Sequence, residues 1–121
     1  MSTIVYGIPN CDTVKKSRVW LSEQGVDYTF HDYKKQGVPA ERVDAWIAAV
    51  GWEPLVNRQG TTWRKLDEAT KAGVVDAASA KALMLSQASV IKRPVIEREG
   101  VVVSVGFDNK RLSELASRLS A

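Results

Sequence analysis

The apolar positions of the chain fall into two kinds of pattern: short contiguous or alternating runs near both ends, and helical spacing between them. Ile4, Val5 and Tyr6 are contiguous strand formers, so a strand is predicted over about residues 2–7, stopped by Gly7 and Pro9. Over residues 13–24 the spacing is helical but loose. Val14 and Leu21 share one side, Trp20 lies on another and Val19 on a third, which predicts a helix covered on more than one face, closed by Gly25 in a C′ role. Tyr28 and Phe30 alternate within a second strand at 27–32. A β-α-β start makes these two strands a parallel pair with a right-handed crossover.

A turn follows at 34–37, and Pro39 suits the first position of a helix. Val43, Trp46, Ile47 and Val50 then recur at i, i+3, i+4 and i+7, an amphipathic stripe that Gly51 ends. Residues 52–65, with Pro54 and Gly60, read as irregular. A short helix is predicted over 66–72, stopped by Gly73, and Asp76 is placed to cap another over 77–87 with Ala80, Leu83, Met84 and Gln87 inward. Pro94 opens a strand at 95–98, Glu99-Gly100 makes a two-residue hairpin turn, and 101–105 forms the returning arm. Gly106 breaks it, and Asp108 caps a last helix carrying Leu112, Leu115, Ala116 and Leu119. The order β-α-β, helical middle, β-β-α predicts an α/β fold with helices packed on one mixed sheet.

Composition narrows the function classes. A length of 121 residues fits one domain. The single cysteine excludes an intramolecular disulfide framework, and without a CxxC or Cys/His cluster there is no zinc signature and no metal site is expected. The net charge of +3 includes no block of five or six like charges, so no nucleic-acid stripe is expected, although small anions are drawn to a basic balance. There is no signal-peptide pattern and no apolar run near the ~18 residues of a membrane span. The expectation is a soluble, cytoplasmic chain in a reducing compartment, where a lone thiol survives.

That thiol, Cys11, is predicted at a strand-to-helix turn. Unpaired backbone N–H groups and the positive end of the helix dipole favour an anion there, so it ionises more readily than a free thiol. The alternative is a buried structural cysteine. Asp12 beside it opposes ionisation. Asn10 and Thr13 flank it and either hydrogen-bond the thiolate or cap the helix. Lys15 and Lys16 read as a solvated face, and His31, the lone histidine, is not needed as a base once a thiolate exists. The tryptophans and the 43–50 stripe read as core.

Three segments carry a resemblance that spans essentially the whole chain: Tyr6-Gly7-Ile8-Pro9-Asn10-Cys11-Asp12-Thr13-Val14-Lys15-Lys16, then Asn57-Arg58-Gln59-Gly60-Thr61-Thr62-Trp63-Arg64-Lys65-Leu66, then Ile91-Lys92-Arg93-Pro94-Val95-Ile96. In that order they resemble the ArsC/Spx (arsenate reductase-like) superfamily, most closely its small YffB-like reductases. The resemblance implies a thioredoxin-like, four-stranded mixed sheet in a single domain over 1–121, with an all-helical insertion at about 34–90. It implies that Cys11 is the redox nucleophile, that Arg93 faces it, that Pro94 holds a cis bond, and that Arg58 is the insert's arginine. Arg58, Arg93, Asn10 and Thr13 are thereby the expected substrate- and glutathione-binding residues. Glutathione is the implied co-substrate, with no bound cofactor, and glutaredoxin or a disulfide-bearing protein is the implied further partner of a monomer. The arsenate-reducing branch has a third arginine near the start of its last helix; here Arg111 lies too far on, which turns the reading from arsenate towards glutathione-dependent thiol reduction. The rivals are arsenate reduction by the same cysteine and an Spx-like regulator that binds RNA polymerase. Many of the latter carry a CxxC switch, where this chain has Val14.

Overall fold

Side-chain alternation decides how the strands meet. In the computed structural model, which describes residues 3–106, β1 (Thr3–Gly7) pairs in parallel with β2 (Thr29–Asp32) and antiparallel with β3 (Val95–Arg98), which pairs antiparallel with β4 (Val101–Val105). The sheet order is β2-β1-β3-β4, a thioredoxin-like mixed sheet. Val5 stands opposite Phe30 and Ile96 in register, so these three share one face. There Val5 and Ile96 form a buried cluster with Leu21 and Val26, and Trp20, Tyr28, Phe30 and Val103 pack on it. Each such buried aliphatic side chain contributes roughly 1.5–3 kcal/mol. The other face carries Tyr6 opposite His31, and Ile4 opposite Glu97.

Helix α1 (Asp12–Glu23) buries a single stripe, Val14, Ser17 and Leu21. Val19 is 57% exposed, so the loose spacing reflects a one-sided helix with apolar residues left in solvent, not one covered on several faces. Gly25 takes φ +73 just past the helix, a left-handed C′ position that glycine fills without strain. At the other end, Gly7 lets β1 and α1 come together: a Cβ there would lie 2.8 Å from Val14 Cγ2.

The expected turn at 34–37 is instead a helical turn, α2 (Tyr33–Gln36). Asp32 Oδ1 accepts from the Lys34 N–H at 2.8 Å, and Gln36 Oε1 accepts from the Asp32 N–H at 3.3 Å. The two bonds satisfy backbone donors at the start of the helical turn. At the hairpin, Glu99 and Gly100 both have positive φ, 52° and 80°, as a two-residue turn that follows the sheet twist demands.

The backbone divides into two compact units, Met1–Gln36 with Arg93–Ala121, and Gly37–Lys92. The second is helical. In α3 (Ala40–Val50), Val43 and Trp46 are buried while Ile47 and Val50 are half-buried, and Pro39 is the residue before the helix, not its first. The 52–65 stretch holds a 3-10 turn, Glu53–Leu55, and α4 (Thr61–Lys65). The next helix, α5 (Glu68–Ala72), starts later than 66 because the Asp67 carboxylate accepts from the Thr70 N–H and fixes its beginning. Asp76 and Ser79 form a reciprocal capping box on α6 (Ala77–Ser86), whose Ala80, Leu83 and Met84 are buried; Gln87, expected inward, is the exposed residue that ends it. Of the four tryptophans only Trp46 is buried. The last predicted helix, from Asp108, lies outside the described residues. Among the described residues no helix is long and apolar enough to cross a membrane, and no His/Cys/Asp/Glu group could hold a metal.

Candidate active site

The β1–α1 connection places Cys11. The Cys11 N–H donates to the Ile8 carbonyl at 3.3 Å, turning the chain out of the strand, and the Cys11 carbonyl accepts the first helical bond from the Lys15 N–H at 2.9 Å. Cys11 is thus the N-cap residue of α1, extended at φ −104° and ψ 125°, and it is half-buried. Its sulfur makes no close capping bond of the kind a serine or aspartate makes.

Burial pushes the Cys11 thiol up, but opposing influences win and hold it below the ordinary thiol range: the Val14 N–H, the Arg93 guanidinium acting both as a hydrogen-bond donor and as a charge, and the Thr13 N–H. The helix end therefore supplies only part of the effect, and an arginine at the start of β3, the neighbour of β1, supplies the rest. Asp12 is exposed and is not among the groups that set the thiol. Thr13 acts through its backbone N–H, while its carbonyl accepts from Ser17 Oγ at 2.8 Å. Asn10 is exposed.

Arg93 precedes Pro94, and the peptide bond between them is cis. Pro94 is buried, and its carbonyl accepts from the Gly106 N–H at 2.8 Å, which ties the start of β3 to the end of β4. Ser104 Oγ in turn donates to the Gly106 carbonyl at 3.1 Å. The arginine is thus carried on a braced strand entry. Arg58 belongs to the other unit. There the Asn57 N–H donates to the Val90 carbonyl at 2.8 Å and Asn57 Oδ1 accepts from the Gln59 N–H at 3.2 Å, making a tight turn with Arg58 inside it. Its guanidinium lies 5.6 Å from the Trp52 ring centroid and 5.7 Å from that of Trp63. Two aromatic faces thereby hold an exposed cation, a role the core assignment of these tryptophans had hidden.

Sequence reasoning also missed a buried polar layer on the Tyr6 face of the sheet. Glu97 is 1% exposed and accepts a 2.9 Å hydrogen bond from the Tyr6 hydroxyl. The Tyr6 ring lies 5.0 Å from His31 and 6.5 Å from Tyr33, centroid to centroid. The Tyr33 hydroxyl is buried with no hydrogen-bond partner among the described residues. Burial pushes it far above the usual phenol range, helped by Tyr6 and Glu97 and opposed by Arg93, so it stays a protonated donor. Charge from Arg93 therefore reaches both the thiol and this layer. Removing the Tyr6 hydroxyl leaves a buried carboxyl group short of a donor, so Tyr6→Phe is expected to cost about 1–3 kcal/mol, measured by urea unfolding; an unchanged midpoint would mean the bond contributes nothing net.

The sequence model of one protein family, the ArsC family, matches residues 6–115. Among solved structures, a protein named YFFB superposes with TM-score 0.86 at 50% identity, over 93% of this chain and 96% of that one. An arsenate reductase (ArsC) related protein from Brucella melitensis superposes with TM-score 0.75 at 54% identity, over 94% and 93%. An uncharacterized protein of Haemophilus influenzae is 39% identical over 106 residues, 88% of this chain and 91% of its own.

Proposed function

The chain belongs to the ArsC family, and because it is also similar to an arsenate reductase (ArsC) related protein, we propose that it is an oxidoreductase of the thiol and arsenate reductase type, and specifically a glutathione-dependent thiol reductase working through one cysteine. The observation that carries this is the Cys11 sulfur at the α1 N-terminus with the Arg93 guanidinium upon it, in a sequence holding one cysteine. The Cys11 thiolate attacks the glutathionyl sulfur of a mixed disulfide. The Cys11–glutathione S–S bond forms, the substrate S–S bond breaks, and the substrate leaves as a thiolate that takes a proton from solvent. A second glutathione thiolate then attacks the adduct, releasing oxidised glutathione and restoring Cys11. Net, one glutathione thiol is consumed and the substrate thiol is released: the substrate's S–S bond is exchanged for that of oxidised glutathione, whose other half came with the substrate. The N–H groups of Val14 and Thr13 and the Arg93 charge stabilise the sulfur anion at the start and end of the cycle.

With hydroxyethyl disulfide, glutathione, glutathione reductase and NADPH, the protein is expected to speed NADPH oxidation and, sampled without glutathione reductase, to carry one glutathionyl mass on Cys11. Neither adduct nor turnover would sink the reading. Arsenate in place of the disulfide is expected to give little turnover; arsenate turnover above that with disulfide would transfer the same cysteine chemistry to an oxyanion.

A further inference from the structure

Beside the Cys11 loop lies a cleft of about 490 Å3 lined by Pro9, Arg18, Phe30, Asp32, Lys35 and Gln36. Two of its walls are fixed. Arg18 donates from Nε to the Tyr28 hydroxyl at 3.1 Å, and its guanidinium carbon sits 4.3 Å from the Phe30 ring centroid. These contacts hold the planar fork in place and leave its terminal N–H groups for another acceptor; no carboxylate among the described residues pairs with it. Asp32, the one acid in the cleft, is buried and engaged by the Lys34 N–H. Arg18 and Lys35 therefore bring two positive charges to the cleft against the single negative charge of Asp32, a net positive lining.

Position along α1 relates this cleft to the nucleophile. Cys11 and Arg18 stand at i and i+7, on one side of the helix and about 10 Å apart along its axis. In glutathione the sulfur sits on the middle residue, so each terminal carboxylate lies about 7 Å along the chain from it. With its sulfur at Cys11 such a ligand meets Arg18 when the long arginine side chain reaches back along the helix to cover the rest. A larger hollow of about 680 Å3 that shares Arg18 is lined by Lys15, Val19, Ser22, Glu23 and Tyr28 and includes no residue of the Cys11 loop, whereas the cleft includes Pro9.

We propose that the Arg18–Lys35 cleft is the subsite that holds a carboxylate of the thiol ligand, with Arg18 as the specificity-determining residue. Arginine suits this task because its fork bonds a carboxylate through two parallel N–H groups while its flat face stacks on an aromatic ring. The inference rests on the glutathione reading above. It makes the cleft the reason glutathione is preferred to a small uncharged thiol such as 2-mercaptoethanol.

The test uses two readouts on wild type, Arg18→Gln and Lys35→Ala. The first is the ratio of kcat/KM with glutathione to that with 2-mercaptoethanol. The second is equilibrium binding of S-methylglutathione, which keeps both carboxylates and has no reactive thiol. Arg18→Gln is expected to cut the ratio about tenfold and weaken S-methylglutathione binding about tenfold, with a smaller loss in Lys35→Ala. A general loss of fold lowers turnover with both thiols and leaves the ratio standing, so it does not mimic the effect. If wild type prefers glutathione and Arg18→Gln retains both that preference and the binding, the subsite assignment is overturned while the glutathione reading stands. Wild type with no preference for glutathione overturns both.

Discussion

Cys11→Ser is expected to bring disulfide turnover down to the background of the coupled assay, a loss of at least about a thousandfold, with the fold unchanged. The substitution is close to isosteric, and the sulfur makes no close capping bond whose loss would cost helix stability. What it removes is the anion. The influences that lower the thiol, the Val14 and Thr13 N–H groups and the Arg93 guanidinium, cannot bring an alkyl hydroxyl to ionisation near neutral pH, and an oxygen nucleophile would not give a disulfide adduct. With one cysteine in the sequence, no neighbouring thiol can take over the attack or resolve the adduct internally. Far-UV circular dichroism and the thermal midpoint check the fold, and the adduct mass checks the chemistry. Retained turnover in a folded Cys11→Ser protein would place the chemistry elsewhere.

If the proposed dependence on an outside thiol holds, it gives the arginines their meaning. A protein that resolves its own disulfide needs to recognise one substrate. One that does not must also hold the incoming thiol, and its two carboxylates set glutathione apart from uncharged thiols such as 2-mercaptoethanol. A braced Arg18 and a neighbouring Lys35 in a cleft beside the cysteine loop answer that need with side chains that the mechanism at sulfur leaves unused.

How far the sequence could be read depended on the range of the interactions. The Cys11 turn was legible because Gly7 and Pro9 punctuate the chain locally, and the hairpin at Glu99-Gly100 because only a few residue pairs accept two positive φ values. The α6 start was legible because Asp76 caps within its own turn. Short helices were not: α2 and α4 have no apolar periodicity long enough to register, and α2 is held by hydrogen bonds from the Lys34 N–H to the Asp32 carboxylate and from the Asp32 N–H to the Gln36 side chain, which turn composition does not announce. Glu97 was illegible for another reason. In the Val-Ile-Glu-Arg strand an acid at an alternating position reads as solvent-facing, yet its partner is Tyr6, 91 residues away, and pairing across the sheet is what permits its burial. Trp52 and Trp63 were read as core because tryptophan usually is; their cationic neighbour, Arg58, shows a different use. The Arg93–Cys11 relation, equally long-range, came from a family pattern and not from spacing.

Arg93→Ala is expected to move the alkylation midpoint of Cys11 upward and to slow its reaction at neutral pH. Burial already pushes the thiol up more than any other single influence acts on it, and with the guanidinium gone only the Val14 and Thr13 N–H groups oppose that push. The two consequences for rate do not run in parallel. Each unit of upward movement cuts the thiolate fraction about tenfold, but the more basic thiolate is about threefold more nucleophilic, so the net loss at neutral pH is about threefold per unit. Above both midpoints the fraction no longer differs, and the variant should react as fast as wild type or faster. The iodoacetamide rate plotted against pH is therefore expected to give curves that cross, wild type ahead near pH 7 and the variant level or ahead at high pH. Arg93→Lys keeps the charge without the planar fork and should fall between them. A merely structural role for Arg93 would change exposure of the sulfur and shift the whole curve by one factor with its midpoint in place; that result would remove Arg93 from the chemistry and leave the thiol to its helix end.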